Sequence, residues 1–299
     1  MILQKTVLRV SQILIYKPNP SIPYQTEKKQ SEQHFSCILG LFQVELIRWY
    51  QEREERDMAY QDTFKRYEMK YLLTKQNKQR ILWAMEPYME LDQYGRTTIL
   101  NIYYDTPDDL LIRRSLEKPV YKEKLRLRSY GVPTSKSTVF VELKKKYQGI
   151  VYKRRTAVTQ KDAENYFYYG KPFPIKDQIT SEIDYFRSFY RELIPAMVIS
   201  YEREAYFAKD CNTSDLRITF DENLLWRDTD LSLQSGAYGY SLLESEQTLM
   251  EIKVGGAMPL WLARKLSEVG VFQCSYSKYG SAYQQKCMMP ESFLEEKRA

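Results

Sequence analysis

Hydrophobic and polar positions along the chain switch between two periods. Eight segments alternate with a period of two, the pattern of strands with one covered face. They are Phe64–Leu72, Ile99–Tyr104, Lys122–Tyr130, Thr138–Lys146, Ile150–Arg155, Val198–Phe207, Leu216–Asp221 and Thr248–Val254. The stretches between them space apolar residues three and four apart, and several have readable helix ends. Thr74 opens one through Ile81, Leu82 and Met85. Thr159 with Asp162 makes a capping-box-like start to another, which Gly170 ends. Gln178 to Leu193 carries Ile179, Ile183, Phe186, Phe189, Tyr190 and Leu193 at helical spacing, closed by Pro195. Pro259 and Gly270 bracket a fourth through Trp261, Leu262 and Leu266. Residues 1–57 show no sustained period, and Pro18-Asn19-Pro20-Ser21-Ile22-Pro23 breaks any element there. The expected organisation is an extension over 1–57, one domain over 58–290 and a tail over 291–299. For the extension two readings stand: a frame begun too early, with Met58 as the natural start, or a small added segment.

The strands are unusual in what alternates. Lys124-Leu125-Arg126-Leu127-Arg128 puts cations on one face and leucines on the other. Val141-Glu142-Leu143-Lys144 and Met250-Glu251-Ile252-Lys253-Val254 set Glu and Lys opposite aliphatics, and Glu68-Met69-Lys70 is a third Glu-x-Lys pair. Leu216-Arg217-Ile218-Thr219-Phe220-Asp221 gathers Arg, Thr and Asp on one face. In any single strand this is the solvated face of an antiparallel sheet. Repeated over five strands and dominated by Lys and Arg, it predicts an α+β fold: a closed antiparallel β-barrel, apolar side outward under flanking helices and a charged lumen inside. Two like charges about 4 Å apart repel by roughly 4 kcal/mol at an effective dielectric near 20. Such a lumen requires counter-carboxylates and a multiply charged anion.

Composition narrows the chemistry. The only histidine is His34, outside the patterned region. Histidine acid–base catalysis, Ser-His or Cys-His nucleophiles and His-ligated zinc are therefore excluded there. A metal would rest on carboxylates and phosphate oxygens, which suits Mn2+ or Mg2+. A net charge of +6 without a dense basic run argues against nucleic acid, as does the confinement of the cations to one strand face without an exposed aromatic platform. Four scattered cysteines, with no CxxC pair, fit a reducing compartment. The apolar run Phe35–Phe42 is too short to span a bilayer, so a cytoplasmic protein without its own transmembrane segment is expected.

In order along the chain stand Arg66-Tyr67-Glu68-Met69-Lys70-Tyr71, Ile102-Tyr103-Tyr104-Asp105-Thr106-Pro107, Lys124-Leu125-Arg126-Leu127-Arg128-Ser129-Tyr130-Gly131, Val141-Glu142-Leu143-Lys144-Lys145-Lys146 and Val151-Tyr152-Lys153-Arg154-Arg155. Tyr201-Glu202-Arg203, the Leu216–Asp221 strand, Met250-Glu251-Ile252-Lys253 and Ser277-Lys278-Tyr279 follow. This series resembles the vacuolar transporter chaperone (VTC) polyphosphate-polymerase domain, within the wider CYTH and triphosphate-tunnel group. The resemblance covers about three quarters of the chain. It implies that Lys70, Arg126, Arg128, Lys144, Lys153, Arg203, Arg217 and Lys278 contact phosphates, with Lys253 beside them and Ser277 and Tyr201 near the substrate. It implies Glu251 as the main metal ligand; on the residue pattern Glu142, and Glu68 or Asp221, could share the metal with it. Asp105-Thr106-Pro107 is expected to be structural, and Lys145, Arg154 and Lys265 to be solvated. The implied partners are ATP and inorganic polyphosphate, with a membrane partner protein left open. Three functions remain in play: a polyphosphate polymerase, a metal-dependent tripolyphosphatase, and a non-catalytic polyphosphate-binding subunit. Neither the SPX module nor the membrane helices of eukaryotic members are seen.

Overall fold

A computed structural model describes residues 67–148, 150–210 and 215–289. The chain divides into the units Met1–Thr63 and Phe64–Ala299, and all described residues belong to the second. The expected extension 1–57, the run Phe35–Phe42, His34 and the tail 291–299 lie outside them. Among the described residues no helix is long and apolar enough to cross a membrane.

Eleven strands form one antiparallel sheet. In chain order they are β1 (Tyr67–Leu73), β2 (Met89–Leu91), β3 (Thr97–Asp105), β4 (Tyr121–Tyr130), β5 (Thr138–Tyr147), β6 (Ile150–Thr159), β7 (Ile194–Ala208), β8 (Arg217–Arg227), β9 (Tyr240–Ser241), β10 (Thr248–Val254) and β11 (Gln273–Cys274). The hydrogen-bonded order is β11-β1-β10-β8-β7-β3-β4-β5-β6, with β2 on β7 and β9 on β8. Among the described residues six helices accompany the sheet: α1 (Lys75–Met85), α2 (Leu110–Leu116), α3 (Gln160–Tyr169), α4 (Gln178–Tyr190), α5 (Leu260–Glu268) and α6 (Lys278–Met288).

The apolar strand faces turn outward under helices. Leu125 and Leu127 of β4 and Val139, Val141 and Leu143 of β5 pack against Ala163 and Tyr166 of α3 and Ile183 and Phe186 of α4. On the other side, Tyr71, Ile218, Met250 and Ile252 are covered by Ile81 and Met85 of α1 and Leu262 and Leu266 of α5. A third cluster lies on the inner face, where Ile99, Tyr103, Ile199, Tyr201 and Leu249 meet Tyr279 and Ala282 of α6. That helix therefore stops part of the hollow the sheet surrounds.

The sheet rolls through nearly a full turn. Lys144 of β5 and Glu68 of β1 are six strand steps apart, about 29 Å in a flat sheet at the usual spacing. Their Nζ and Oε2 are 3.7 Å apart. The expected closure by backbone pairing is not found: among the described residues no ladder joins β6 to β11. The reason is local. β11 is only two residues long, pairing just with Lys70 and Tyr71, and the chain then turns into α6 instead of running on to β6.

The expected helix ends hold at Thr74, whose hydroxyl accepts from the Asn77 amide, and at Thr159, which accepts from Asp162. Gly170 and Gly270 adopt positive φ where their helices stop. The Gln178 helix ends earlier than expected, at Tyr190, with Arg191 at φ 57°. Pro195 lies inside β7 opposite Tyr104, at a register shift where a missing N–H is tolerated.

Candidate functional site

The inner face is a set of charges arranged around four carboxylates. Pairing puts β4, β5 and β6 in register so that Arg126 lies opposite Glu142, and Glu142 opposite Arg155. Glu142 is 1% exposed and takes Arg126 Nη2 at 2.7 Å and Lys153 Nζ at 2.7 Å, with Arg128 and Arg155 each at 3.8 Å. Burial would raise its carboxyl, but Arg126, Arg128 and Lys153 pull it far below the carboxylate range. Arg126 also donates to the Tyr103 hydroxyl at 3.1 Å. Arg128 bridges Asn101 Oδ1 at 2.8 Å and Tyr201 OH at 3.1 Å. Burial would push both phenols up; Arg126 beside Tyr103 and Arg128 beside Tyr201 bring them below their ordinary value instead.

A second group of charges lines β1, β10, β8 and β7. Asp221, fully buried, accepts both arms of the Arg203 guanidinium at 2.6 Å and Lys278 Nζ at 2.6 Å. Lys278 reaches Glu251 Oε1 at 3.0 Å, and Lys70, Arg203 and Lys253 stand 3.5, 3.6 and 3.7 Å from the same carboxylate. Burial opposes ionisation of Glu251, yet these four cations hold it well below its usual range. Lys278, which burial alone would depress, is raised by Asp221 and Glu251. Lys70 turns also to Glu68 at 3.4 Å. Arg217 faces Lys253 across the β8–β10 register and lies over the Phe207 ring at 4.8 Å.

The start of α6 joins the two groups. Ser277 caps it by accepting from the Gly280 amide, and the same hydroxyl oxygen accepts from Lys124 Nζ at 3.1 Å. Lys70 Nζ donates to the Tyr276 carbonyl at 3.0 Å. Two further contacts fix the helix. Tyr279 stacks on Tyr103 with centroids 4.6 Å apart and donates to Asp105 at 2.8 Å. Asp105 also accepts from the Leu111 and Ile112 amides, so it caps α2, which is the structural part expected of Asp105-Thr106-Pro107. At Gly280 an added Cβ would meet Leu116 Cδ2 at 3.0 Å and Ser277 at 3.2 Å, so a larger residue there requires the Leu116 side chain to give way.

All thirteen expected site residues thus stand on the inner face or at its edge. Sequence reasoning missed Asn101, Tyr103 and Arg155. The signal for the first was an asparagine inside a strand pattern, where its type is depleted. Lys145, Arg154 and Lys265 are outside the hollow as expected but less solvated: the first two approach Glu182 of α4 at 3.8 and 3.4 Å, and Lys265 pairs with Glu268 at 3.0 Å.

Among the described residues no three His, Cys, Asp or Glu side chains gather as a ready ligand set. Mg2+ commonly uses one or two carboxylates together with phosphate oxygens. Glu251, with Glu68 and Asp221 close enough to perturb each other through it, has that chemistry. Within 4 Å Glu142 has four cations around it.

Rolled sheet and lining together define a hollow whose walls carry more cations than carboxylates. The chain belongs to the VTC domain family, whose model matches residues 65–286. No curated protein sequence matches it. Solved structures similar to it include a candidate adenylate cyclase from Vibrio parahaemolyticus, 13% identical, TM-score 0.39, over 75% of this chain and 99% of its own. Another, from Bacillus halodurans, is 14% identical with TM-score 0.44, over 71% and 95%. A third, a candidate adenylyl cyclase from Hippeastrum described as having a dominant triphosphatase activity, is 14% identical with TM-score 0.44, over 75% and 97%.

Proposed function

We propose that the protein is a metal-dependent polyphosphate polymerase, which passes the terminal phosphoryl group of ATP to a growing inorganic polyphosphate chain. The observation that carries this reading is the inner face itself. Its cations outnumber its four carboxylates and run in unbroken alternation from Lys124 to Arg128 on β4 and across to Lys153. An extended polyanion matches the charge that Glu142 leaves uncompensated along such a row. Arg126 and Arg128 supply paired N–H donors, while Lys70, Lys144, Lys153 and Lys253 supply point charges.

Transfer breaks the bond from the terminal phosphorus to its bridging oxygen as an acceptor phosphate oxygen forms the new one. Both acceptor and leaving group are already anionic, so positioning and charge stabilisation suffice and no histidine base is needed. Mn2+ or Mg2+ would be held by Glu251, supplying charge neutralisation at the phosphate oxygens. Arg126 and Arg128, fixed by Glu142, Tyr103, Asn101 and Tyr201, orient the phosphates; Lys278 and Arg203 keep Glu251 ionised.

The test is incubation of the purified full-length chain with ATP and Mn2+ or Mg2+, resolving products on a gel and measuring released phosphate. A ladder of long polyphosphate that disappears in Glu251→Gln is expected. Free phosphate without a ladder would assign hydrolysis instead, and tight polyphosphate binding with neither product would assign a binding subunit.

A further inference from the structure

The two ends of the cationic row differ in chemistry. At one end, Lys122 faces Lys146 across the β4–β5 register, next to the Lys124–Lys144 pair. At the other, beyond Arg128, the inner-face positions turn aromatic. Tyr130 follows Arg128 by two residues and is 50% exposed although it stands on the inner side. Phe140 lies opposite Arg128 in register, and its ring meets Tyr130 edge-on, centroids 5.8 Å apart at 80°. Arg155 lays its guanidinium over Phe140 at 3.4 Å from the ring centroid and lies 5.8 Å from that of Tyr130. Across β6 from Phe140 is Ala157, exposed and too small to cover the ring.

We infer that Tyr130, Phe140 and Arg155 form a shelf for the base of a nucleoside triphosphate whose phosphates lie along Arg128, Arg126 and Lys153. The inference rests on the polymerase reading and deepens it by naming what holds the nucleoside. The half-exposed Tyr130 ring and the exposed guanidinium plane of Arg155, itself backed by Phe140, can stack on a base, and such stacking tolerates all base types. Distance supports the placement. Along β4, Arg128 and Arg126 are two and four residues from Tyr130, about 7 and 13 Å at strand rise. A ribose followed by three phosphates has that reach. Arg155 ties the shelf to the phosphate row, because its Nε is 3.8 Å from the Glu142 carboxylate that also holds Arg126 and Lys153. The lysine end, lacking rings on the same strand face, is left to the base-free polymer.

The test compares ATP with inorganic tripolyphosphate, which has the phosphates and no base. Binding of each to the full-length chain is measured by calorimetry, in wild type, Tyr130→Ala and Tyr130→Phe. The shelf predicts that Tyr130→Ala weakens ATP by about tenfold, leaves tripolyphosphate unchanged, and is rescued by Tyr130→Phe. Because Tyr130 is half open to solvent, its removal spares the core. An equal loss for both ligands, or no loss for either, overturns the shelf while the hollow remains a polyphosphate site. If wild type binds neither ligand, the polymerase reading itself falls, and the shelf with it.

Discussion

At the residue scale, Glu142 and Glu251 look alike in sequence, each in a Glu-x-Lys strand, and each has four cations within 4 Å. What sets Glu251 apart is the pair of carboxylates, Glu68 and Asp221, that it also faces, and on that ground we propose different work for the two. Glu142 is enclosed by Arg126, Lys153, Arg128 and Arg155. Glu142→Gln should therefore destabilise the free protein by about 2 kcal/mol, less than the usual cost of breaking a buried pair because Arg126 and Lys153 reach solvent. It should also tighten polyphosphate binding and preserve metal-dependent turnover. Glu251→Gln should lose that turnover. Thermal melts, binding and product assays on the two variants check this, and loss of metal dependence in Glu142→Gln would reverse the assignment. Lysine chemistry gives a second expectation. Burial, helped by Lys122, Lys70 and Lys144, takes Lys124 from 10.5 down to about 8, and burial takes Lys253 to about 8 against the opposing pull of Glu251 and Glu68. Their folded values lie below the unfolded one, so charging them costs stability below pH about 8, and that cost fades as pH rises from there towards 10. Polyphosphate needs them charged. Its affinity should fall as pH rises through about 8, measurable with long-chain polyphosphate, whose internal groups are ionised throughout. A flat affinity up to pH 9.5 would contradict the role of these lysines.

At the element scale, the decisive piece is α6. Its first residues supply Ser277 and Lys278, and its attachment to the sheet runs through Tyr279 to Asp105 and Tyr103. Tyr279→Phe keeps the ring stack and removes only the hydroxyl bond to a buried carboxylate. A loss of about 1–3 kcal/mol in melting is expected. A raised KM for ATP should accompany it, as the α6 start loosens beside Lys70 and Lys124. An unchanged KM with a lowered melting temperature would make Asp105 a core anchor only. With α2 and the short strands β2, β9 and β11, this helix was among the elements the sequence concealed. Helices α1, α3 and α5 announced themselves through Thr74, Thr159 and the Pro259–Gly270 pair, and α4 through its apolar spacing. Lys278-Tyr279-Gly280-Ser281-Ala282 has no apolar stripe, carries a glycine inside, and buries a lysine against carboxylates. Its periodicity is one of charge and close packing, which hydrophobic spacing does not register. The strands were legible because cation and aliphatic alternate in them, but their ends were not. β8 runs on to Arg227, where Trp226 and Arg227 are buried on opposite faces and erase the alternation, and β7 begins at Ile194, four residues before the expected start, at exposed and half-buried positions that carry no alternation.

At the scale of the whole molecule, the expected inside-out sheet is present, with aliphatics under helices and charges within. The expected backbone closure is not, because closure depends on which segment follows β11, a matter no strand pattern contains. The surplus of cations inside the roll means the free protein folds against its own repulsion. Tripolyphosphate at 100 times its Kd should stabilise it by about 2.7 kcal/mol. For a domain of this size that corresponds to roughly 5–10 °C in melting temperature. Sodium chloride at the same ionic strength should give much less, and equal shifts from both would remove the case for a dedicated polyanion site.

The seam between β6 and β11 has a topological consequence. A ring sewn shut by peptide hydrogen bonds admits a long polymer only end first. Where Lys144 meets Glu68, the gap is spanned by partly exposed side chains rather than by a ladder. On the proposed function, a polyphosphate with both ends capped, or fixed to something bulky, is expected still to bind, laid in sideways like a cord into a slit sleeve.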